Sequence, residues 1–342
     1  MSMVTTSTGV HAHGFEPLDT TRLSEILREH SRLPWHPLLE RSALAEHYLR
    51  RWQEAHASML LSEETSQHLS GCILESLPWD TQLLGMKCGR LFPLSDPSVP
   101  RTVDDRMLID RAVRAMRDDG YRLIDCKIAS TDLPLVRTFE DAGFRVVDML
   151  VTMSIERELV QTIAARMQSR IELLGERTLR VDGTVIVRPI EARDFDAMRA
   201  LARDAFSDTA EIQDRFFLEP AIDHARARDL FEEWFSNAVQ KQHRGEGEVL
   251  VAELNGQAVG FLTMNAPEPE HHYWQDSLNA IAPAARGKGV YRALLLGTLH
   301  VVAARSESLL TRTQISTTRV INSWLHLGAS LVESFFTLHY TP

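Results

Sequence analysis

Residues 279–302, NAIAPAARGKGVYRALLLGTLHVV, concentrate the side chains and glycines best suited to chemistry. Arg286, Gly287, Lys288, Gly289, Val290 and Tyr291 lie between two runs. The strand-like run ends near Ala282, and the helix-like run places Leu295, Leu299 and Val302 on one face. A helix N-terminus offers unpaired N–H groups and a partial positive charge. Glycines let the backbone turn tightly and aim successive N–H groups at one anion. With Arg286 and Lys288 adding cationic charge, the pattern suits a cradle for a diphosphate. A plain surface turn carrying RGKG is the other reading of the same residues. Two common phosphate loops do not fit, since GxxxxGK[ST] is absent and GxGxxG fails where residue 292 is Arg.

Three histidines are candidate bases, because imidazole titrates near neutrality and can take a proton from an ammonium. His271 and His272 precede the strand that enters the Gly-containing loop, and His339 lies on the last strand. Each could equally be an exposed loop residue or a satisfied histidine at a strand end.

The elements around the loop follow from periodicity. Residues 185–188 read as a strand, a helix starts near Ala192, and residues 223–239 form a helix with Leu230, Phe231, Trp234 and Ala238 at helical spacing. VLVAELNGQAVGFLTMN is a hairpin pattern around Asn255-Gly256, a dipeptide favoured in tight type I′ turns. A strand over 277–282, the loop and its helix, a strand over 309–315, a helix over 320–327 ended by Gly328, and a strand reaching His339 complete this half.

In the first half, residues 68–92 read as strands and turns. Residues 106–119 form an amphipathic helix, 121–128 a strand, 133–142 a helix closed by Gly143, and 144–155 a long strand. Residues 156–182 are charged and helix-prone, either a linker or a terminal helix on the first domain. LVRTFEDAGFRVVDMLVTM aligns with VINSWLHLGASLVESFFTL, each with an aromatic residue (Phe139, Trp324) four positions before the glycine. The match suggests two copies of one supersecondary plan, of which the first lacks the Gly-containing loop.

Length and composition agree with two domains. The chain has 342 residues, 44% hydrophobic and 25% charged, as in ordinary globular proteins. A net charge of −10 argues against general nucleic-acid binding. Cys72, Cys88 and Cys126 form no CxxC pair, which excludes a disulfide framework, disfavours a cysteine metal site and suggests a reducing, cytoplasmic compartment. The stretch ALLLGTLHVVAA is too short and too patterned to cross a membrane, and the polar N-terminus reads as a loose tail rather than a signal peptide.

Residues 184–342 resemble GNAT-superfamily N-acetyltransferases, whose motif [Q/R]-x-x-G-x-[G/A] reads here Arg286-Gly-Lys-Gly289-Val-Tyr291. Tyr replaces the last small residue, which puts the approach to the diphosphate in question. The resemblance narrows at LPWDTQLLGMKCGRL, which is similar to the W-D-S-x-F-F-G opening of the dTDP-fucosamine acetyltransferase branch, and at RTQISTTRVINSWLHLGASLVESFFTLHY, which is similar to its ending.

The resemblance implies a mixed α/β (α+β) architecture of two GNAT-like sheets flanked by helices, the first degenerate. It divides the chain into an N-terminal tail with helices (1–60), a degenerate domain (61–158), a helical linker (159–183) and a catalytic domain (184–342). It implies acetyl-CoA, or another acyl-CoA, as cofactor, with its diphosphate on residues 286–291 and its pantetheine arm on Ala280 and Ile281. Thr317 stands where the branch has Asn near the arm, and Trp324 stands where a Tyr often acts as general acid; indole N–H only donates, so the usual acid is absent. His339, His272 and Trp324 are the catalytic candidates. DAFSDTAEIQDRFFLEP resembles the branch's acceptor segment, which makes Asp214, Arg215 and Phe216 substrate-side candidates, or a solvated charged loop.

The implied partner is a small-molecule amine, by branch a nucleotide-linked amino sugar, with a natural-product amine, a carrier-bound acyl chain and a non-catalytic acyl-CoA-binding module as alternatives. No metal, nucleic acid or membrane is expected. The first half would shape the acceptor cleft or an oligomer contact such as a homodimer. No cysteine lies in the second half, so a direct attack within a ternary complex suits the sequence better than a covalent relay.

Overall fold

The computed structural model describes residues 14–30, 41–61, 69–95, 103–207, 214–268 and 272–342. The tail, His271 and residues 208–213 of the acceptor-like segment lie outside them. The chain forms two units, one ending at Val147 but regaining Phe335–Pro342, the other spanning Asp148–Ser334.

In the first unit β1 (Glu16–Pro17), α1 (Thr20–His30), α2 (Arg41–Glu54), β2 (Ser58–Leu61), β3 (Leu69–Ser76), α3 (Pro78–Leu84), β4 (Cys88–Ser95), α4 (Val103–Asp118), β5 (Leu123–Ala129) and α5 (Leu133–Asp141) follow one another. β1 to β4 pair antiparallel in sequence order, and β5 adds parallel to β4 after the crossover helix α4. Strand alternation sends side chains to both faces of this sheet. Leu91, Cys126 and Ile124 bury against Ile109, Met116 and Phe139 of α4 and α5, whereas Ile73 and Phe92 bury against Leu23 and Trp52 of α1 and α2.

The chain crosses to the second unit within β6 (Arg145–Ile155), and α6 (Arg157–Met167), β7 (Ile171–Leu173), β8 (Leu179–Val181) and β9 (Val185–Pro189) come next. Residues 159–183 are therefore helical only in their first part. The rest is a hairpin, because Leu179 and Val181 alternate inward from the sheet beside Val185 and Val187. Next come α7 (Phe195–Ala205), α8 (Arg215–Leu218), α9 (His224–Arg244), β10 (Gly247–Leu254), β11 (Gln257–Asn265) and β12 (Tyr273–Ile281). α10 (Val290–Ala303), β13 (Ser308–Gln314), α11 (Thr318–Leu327) and β14 (Ser330–Tyr340) close the chain.

The second sheet runs β6, β13, β12, β11, β10, β9, β8, β7, antiparallel except for β12 beside β13. Asn255 and Gly256 both take left-handed φ (53° and 78°) between β10 and β11, as the hairpin pattern predicts. α6, α10 and α11 share one apolar core on this sheet, while α7 and α9 pack on β10–β12. A Cβ on Gly297 would come within 2.6 Å of Val187, so the glycine is what lets α10 lie this close to β9.

Each sheet is completed by a strand distant in sequence. Residues Leu150–Ile155 of β6 pair with β13, and Phe335–Tyr340 of β14 pair with β5. Both units thus carry a meander, a crossover helix, a parallel pair and a further helix, the arrangement implied by the weak repeat. Among the described residues, no helix is long and apolar enough to cross a membrane, and no group of His, Cys, Asp and Glu could hold a metal ion.

Candidate active site

β12 and β13 pair only over Tyr273↔Ser308, Trp274↔Leu309 and Gln275↔Leu310. Beyond that rung β12 continues to Ile281 on β11 alone, with Gly260↔Ile281 and Phe261↔Ala280 as its last pairs. Its other edge, over 276–281, has no strand partner among the described residues. At ~3.4 Å per residue this edge is about 17 Å long, and its N–H and C=O groups can pair with an extended ligand that carries amides.

A bulge shapes the same stretch. Met264 faces Asp276 and Leu262 faces Asn279, so β12 holds one extra residue there. Thr263 Oγ1 accepts the N–H of Leu278 at 2.9 Å, and Trp234 Nε1 of α9 donates to Ser277 Oγ at 3.1 Å. A bulge re-aims side chains, and here it brings Asn279 to the side of Asp276, Nδ2 to Oδ2 being 3.4 Å.

The free edge runs into the Gly-containing turn. Pro283–Ala285 form one 3-10 turn, and Gly289 caps α10 with φ 79°, a left-handed conformation that disfavours other residues. Gly287 has φ 75°, and a Cβ on either glycine would meet nothing within 4 Å. The first backbone bond of α10 runs from Ala293 N–H to Gly289 O, which leaves the first-turn N–H groups for another acceptor. Arg286, Gly287, Lys288 and Gly289 are exposed. The ring of Tyr291 does not cover them, because its Oη turns inward and accepts the indole N–H of Trp324 at 3.1 Å. The residues present therefore fit a diphosphate with an amide-bearing arm.

Asp276 is the titratable group at the point where the strands part. It is 4% exposed, and Thr311 Oγ1 donates to its Oδ2 at 2.8 Å. Burial outweighs these hydrogen bonds and raises its carboxyl to about 6. Burial and then the Asp276 charge push the Tyr291 phenol well above its ordinary value, against the Trp324 bond, which lowers it. Neither Asp276 nor Thr311 was singled out by the sequence reading. The signal was there, a carboxylate inside the otherwise apolar alternation of YWQDSLNAI just before the turn.

The other candidates divide. Thr317 donates to Gln314 O at 2.7 Å and lies 2.8 Å from Thr313 Oγ1, which closes the turn between β13 and α11. Asp214 caps α8 through the N–H of Phe216 at 2.9 Å and also accepts Gln314 Nε2 at 3.0 Å, so it meets the end of β13. Burial raises the Asp214 carboxyl. The Arg215 guanidinium lies over the ring of Phe216, 4.5 Å from its centroid, and Phe216 packs on Phe231. His272 is 87% exposed, 3.9 Å from Glu307. His339 is buried in the first unit, opposite Asp125 of β5. Asp125 holds Arg90 Nε at 2.8 Å, and Arg90 in turn faces Glu75 on β3. His339 thus ends a row of polar side chains across four strands of the first sheet.

No curated protein sequence matches the chain significantly. Its fold is similar to a GCN5-related N-acetyltransferase from Sphaerobacter thermophilus, at 14% identity and a TM-score of 0.62, covering 96% of this chain and 95% of that one. It is also similar to a tandem GNAT protein from the clavulanic acid biosynthesis pathway, at 12% identity and a TM-score of 0.54, covering 96% and 98%. The third is the glucosamine N-acetyltransferase region of a fungal multi-domain GH3 β-N-acetylglucosaminidase, at 11% identity and a TM-score of 0.59, covering 94% of this chain and 37% of that one. These identities establish the fold alone. Residues 197–328, from α7 to the glycine after α11, match the family model described as Acetyltransferase (GNAT) family, and the chain thus carries a GNAT-family acetyltransferase domain.

Proposed function

We propose that the protein is an acyl-CoA-dependent N-acyltransferase that uses acetyl-CoA to acetylate the amine of a small acceptor. The observation that carries this reading is the break in the β12/β13 ladder after Gln275↔Leu310, which opens an unpaired edge leading into the positive-φ turn at Gly287 and Gly289. Arg286, Lys288 and the N–H groups of Gly289, Val290 and Tyr291 would hold the diphosphate by charge and hydrogen bonds. Ala280 and Ile281 would pair with the amides of the arm, and Thr317 borders it. Bound there, the cofactor supplies an acyl group activated as a thioester.

The chain's own part is to orient the acceptor and move its proton. An ammonium must lose a proton before it can attack. Asp276, held near 6 by burial, is ionised at neutral pH and is the group we assign to take that proton. Covalent relay through a cysteine is disfavoured, because Cys72, Cys88 and Cys126 are all buried in the first unit. Burial lifts Cys72 and Cys88 to about 12, which keeps them as thiols.

Asp214, Arg215 and Phe216 are the acceptor-side group in this reading, because Asp214 meets Gln314 at the end of β13. A nucleotide-linked amino sugar fits the sequence resemblance, and one fold neighbour is a glucosamine N-acetyltransferase region.

Calorimetry with coenzyme A and thiol release from acetyl-CoA with a panel of primary amines, amino sugars included, test the reading. Binding with amine-dependent release is expected. Binding without release makes the protein an acyl-CoA-binding module, and absence of binding overturns the assignment.

A further inference from the structure

We infer that the phenol of Tyr291 is the hydrogen-bond donor to the sulfur of a thioester bound along β12, a role that rests on the coenzyme A binding proposed above. Acyl transfer leaves negative charge on that sulfur, and a donor placed beforehand stabilises it. The donors around the parting of β12 and β13 can be followed hydrogen by hydrogen. The Thr311 hydroxyl gives its hydrogen to Asp276, and the Trp324 indole gives its hydrogen to Tyr291. Indole nitrogen cannot accept, so the Trp324–Tyr291 bond has only one direction. The phenol hydrogen therefore points elsewhere, and it has no acceptor among the described residues.

Two further features suit Tyr291 to the role. The bond from Trp324, itself 1% exposed, fixes the position of Oη and polarises its O–H. The residue also lies in the first turn of α10, two positions after Gly289, so its main chain belongs to the diphosphate cradle while its phenol is within reach of the Asp276 charge. Burial and the Asp276 charge keep the phenol protonated over the range in which a thiol of pKa ~8.5 ionises. The hydrogen is thus present whenever the sulfur carries charge.

The thiol of bound coenzyme A reports the contact without any acceptor substrate. A donor to sulfur favours the thiolate, so the thiol should titrate about one unit lower on the unaltered protein than on Tyr291→Phe, a tenfold difference. Ultraviolet absorbance of the thiolate follows this titration, and calorimetry below the titration should give the two proteins the same affinity within about threefold. On the unaltered protein, coenzyme A should bind about tenfold more tightly than desulfo-coenzyme A near pH ~9, which needs no variant to fold. Equal titration in the two proteins, equal affinity for the two ligands, or tighter binding by Tyr291→Ala (a ring that merely plugs the slot) overturns the inference while leaving the proposed function intact. Failure of coenzyme A to bind the unaltered protein removes both.

Discussion

Thr311 Oγ1 meets Asp276 Oδ2 at 2.8 Å, in the place where the next rung of the β12/β13 ladder would fall after Gln275↔Leu310. A bond between side chains thus replaces main-chain pairing where the strands separate. Beyond it β12 keeps its antiparallel partner and gains a free edge, so this contact marks the inner end of the candidate cofactor slot. It also places a buried carboxylate in the apolar part of the sheet, where charge is costly unless hydrogen-bonded.

That cost should be visible as pH-dependent stability. The Asp276 carboxyl lies near 6 in the fold and near ~3.9 in the unfolded chain, so between these values the folded state binds the extra proton and stability falls as pH rises. Asp276→Asn keeps an acceptor for Thr311 and removes the charge. It should match the unaltered protein below pH ~4 and be more stable above pH ~6, by up to about 3 kcal/mol. Urea unfolding of both proteins on either side of this window checks the sign; a constant difference would show that the Asp276 charge is not responsible.

The same substitution should act oppositely on turnover. With Asp276 as proton acceptor, kcat/KM rises as pH passes about 6 and levels off above it. Asp276→Asn should lower kcat by about 10²–10⁴-fold and abolish that inflection, while coenzyme A affinity stays within about threefold. Thiol release measured across pH over amine concentrations from limiting to saturating provides both kcat/KM and kcat, and an inflection that survives in the Asn variant would assign it to another group.

At the cradle, backbone strain and charge can be separated. Gly289 sits at φ 79° with open space where a Cβ would go, so Gly289→Ala meets no steric clash and costs only the left-handed backbone, about 1–2 kcal/mol. Gly289→Asp adds a negative charge beside a diphosphate. Calorimetry should find coenzyme A weakened by about tenfold in the Ala variant and by 100-fold or more in the Asp variant. Equal affinities for the two would mean that the anion is held elsewhere.

Much of this was legible in sequence because local chemistry decided it. Asn255-Gly256 marked a tight turn, and the Gly-containing loop ahead of an apolar 3.6-residue period marked the start of a helix, whose left-handed cap at Gly289 the structure adds. Trp324 and Tyr291 were each visible as departures from a motif, but their hydrogen bond was not, since it joins residues on two helices. Asp276 was hidden for a related reason. Its role depends on which strand fails to pair beyond Gln275, and ladder ends are set by tertiary packing rather than by neighbouring residues. The hairpin of β7 and β8 was read as helical because its charged residues, among them Glu172 and Arg180, mask the inward Leu179 and Val181.

The exchange of long strands governs how the chain can be cut. Residues 184–342 include the whole GNAT match, yet they lack the part of β6 that pairs with β13. Val151, Met153 and Ile155 of that strand are almost fully buried in the core shared with α10 and α11, as are Val160 and Ile163 of α6. Each such side chain stabilises the fold by about 1.5–3 kcal/mol, so losing the five together removes stabilisation comparable to the whole ~5–15 kcal/mol that holds a typical domain. The same cut retains Phe335–Tyr340 without their partner β5, an apolar strand with nothing to pair with. Residues 184–342 alone should therefore aggregate or remain unfolded, whereas residues 148–334, which follow the observed unit, should fold with a sigmoidal urea transition. Circular dichroism and gel filtration of the two fragments decide the matter, and a soluble, cooperatively folded 184–342 would show that β6 is dispensable to the second sheet.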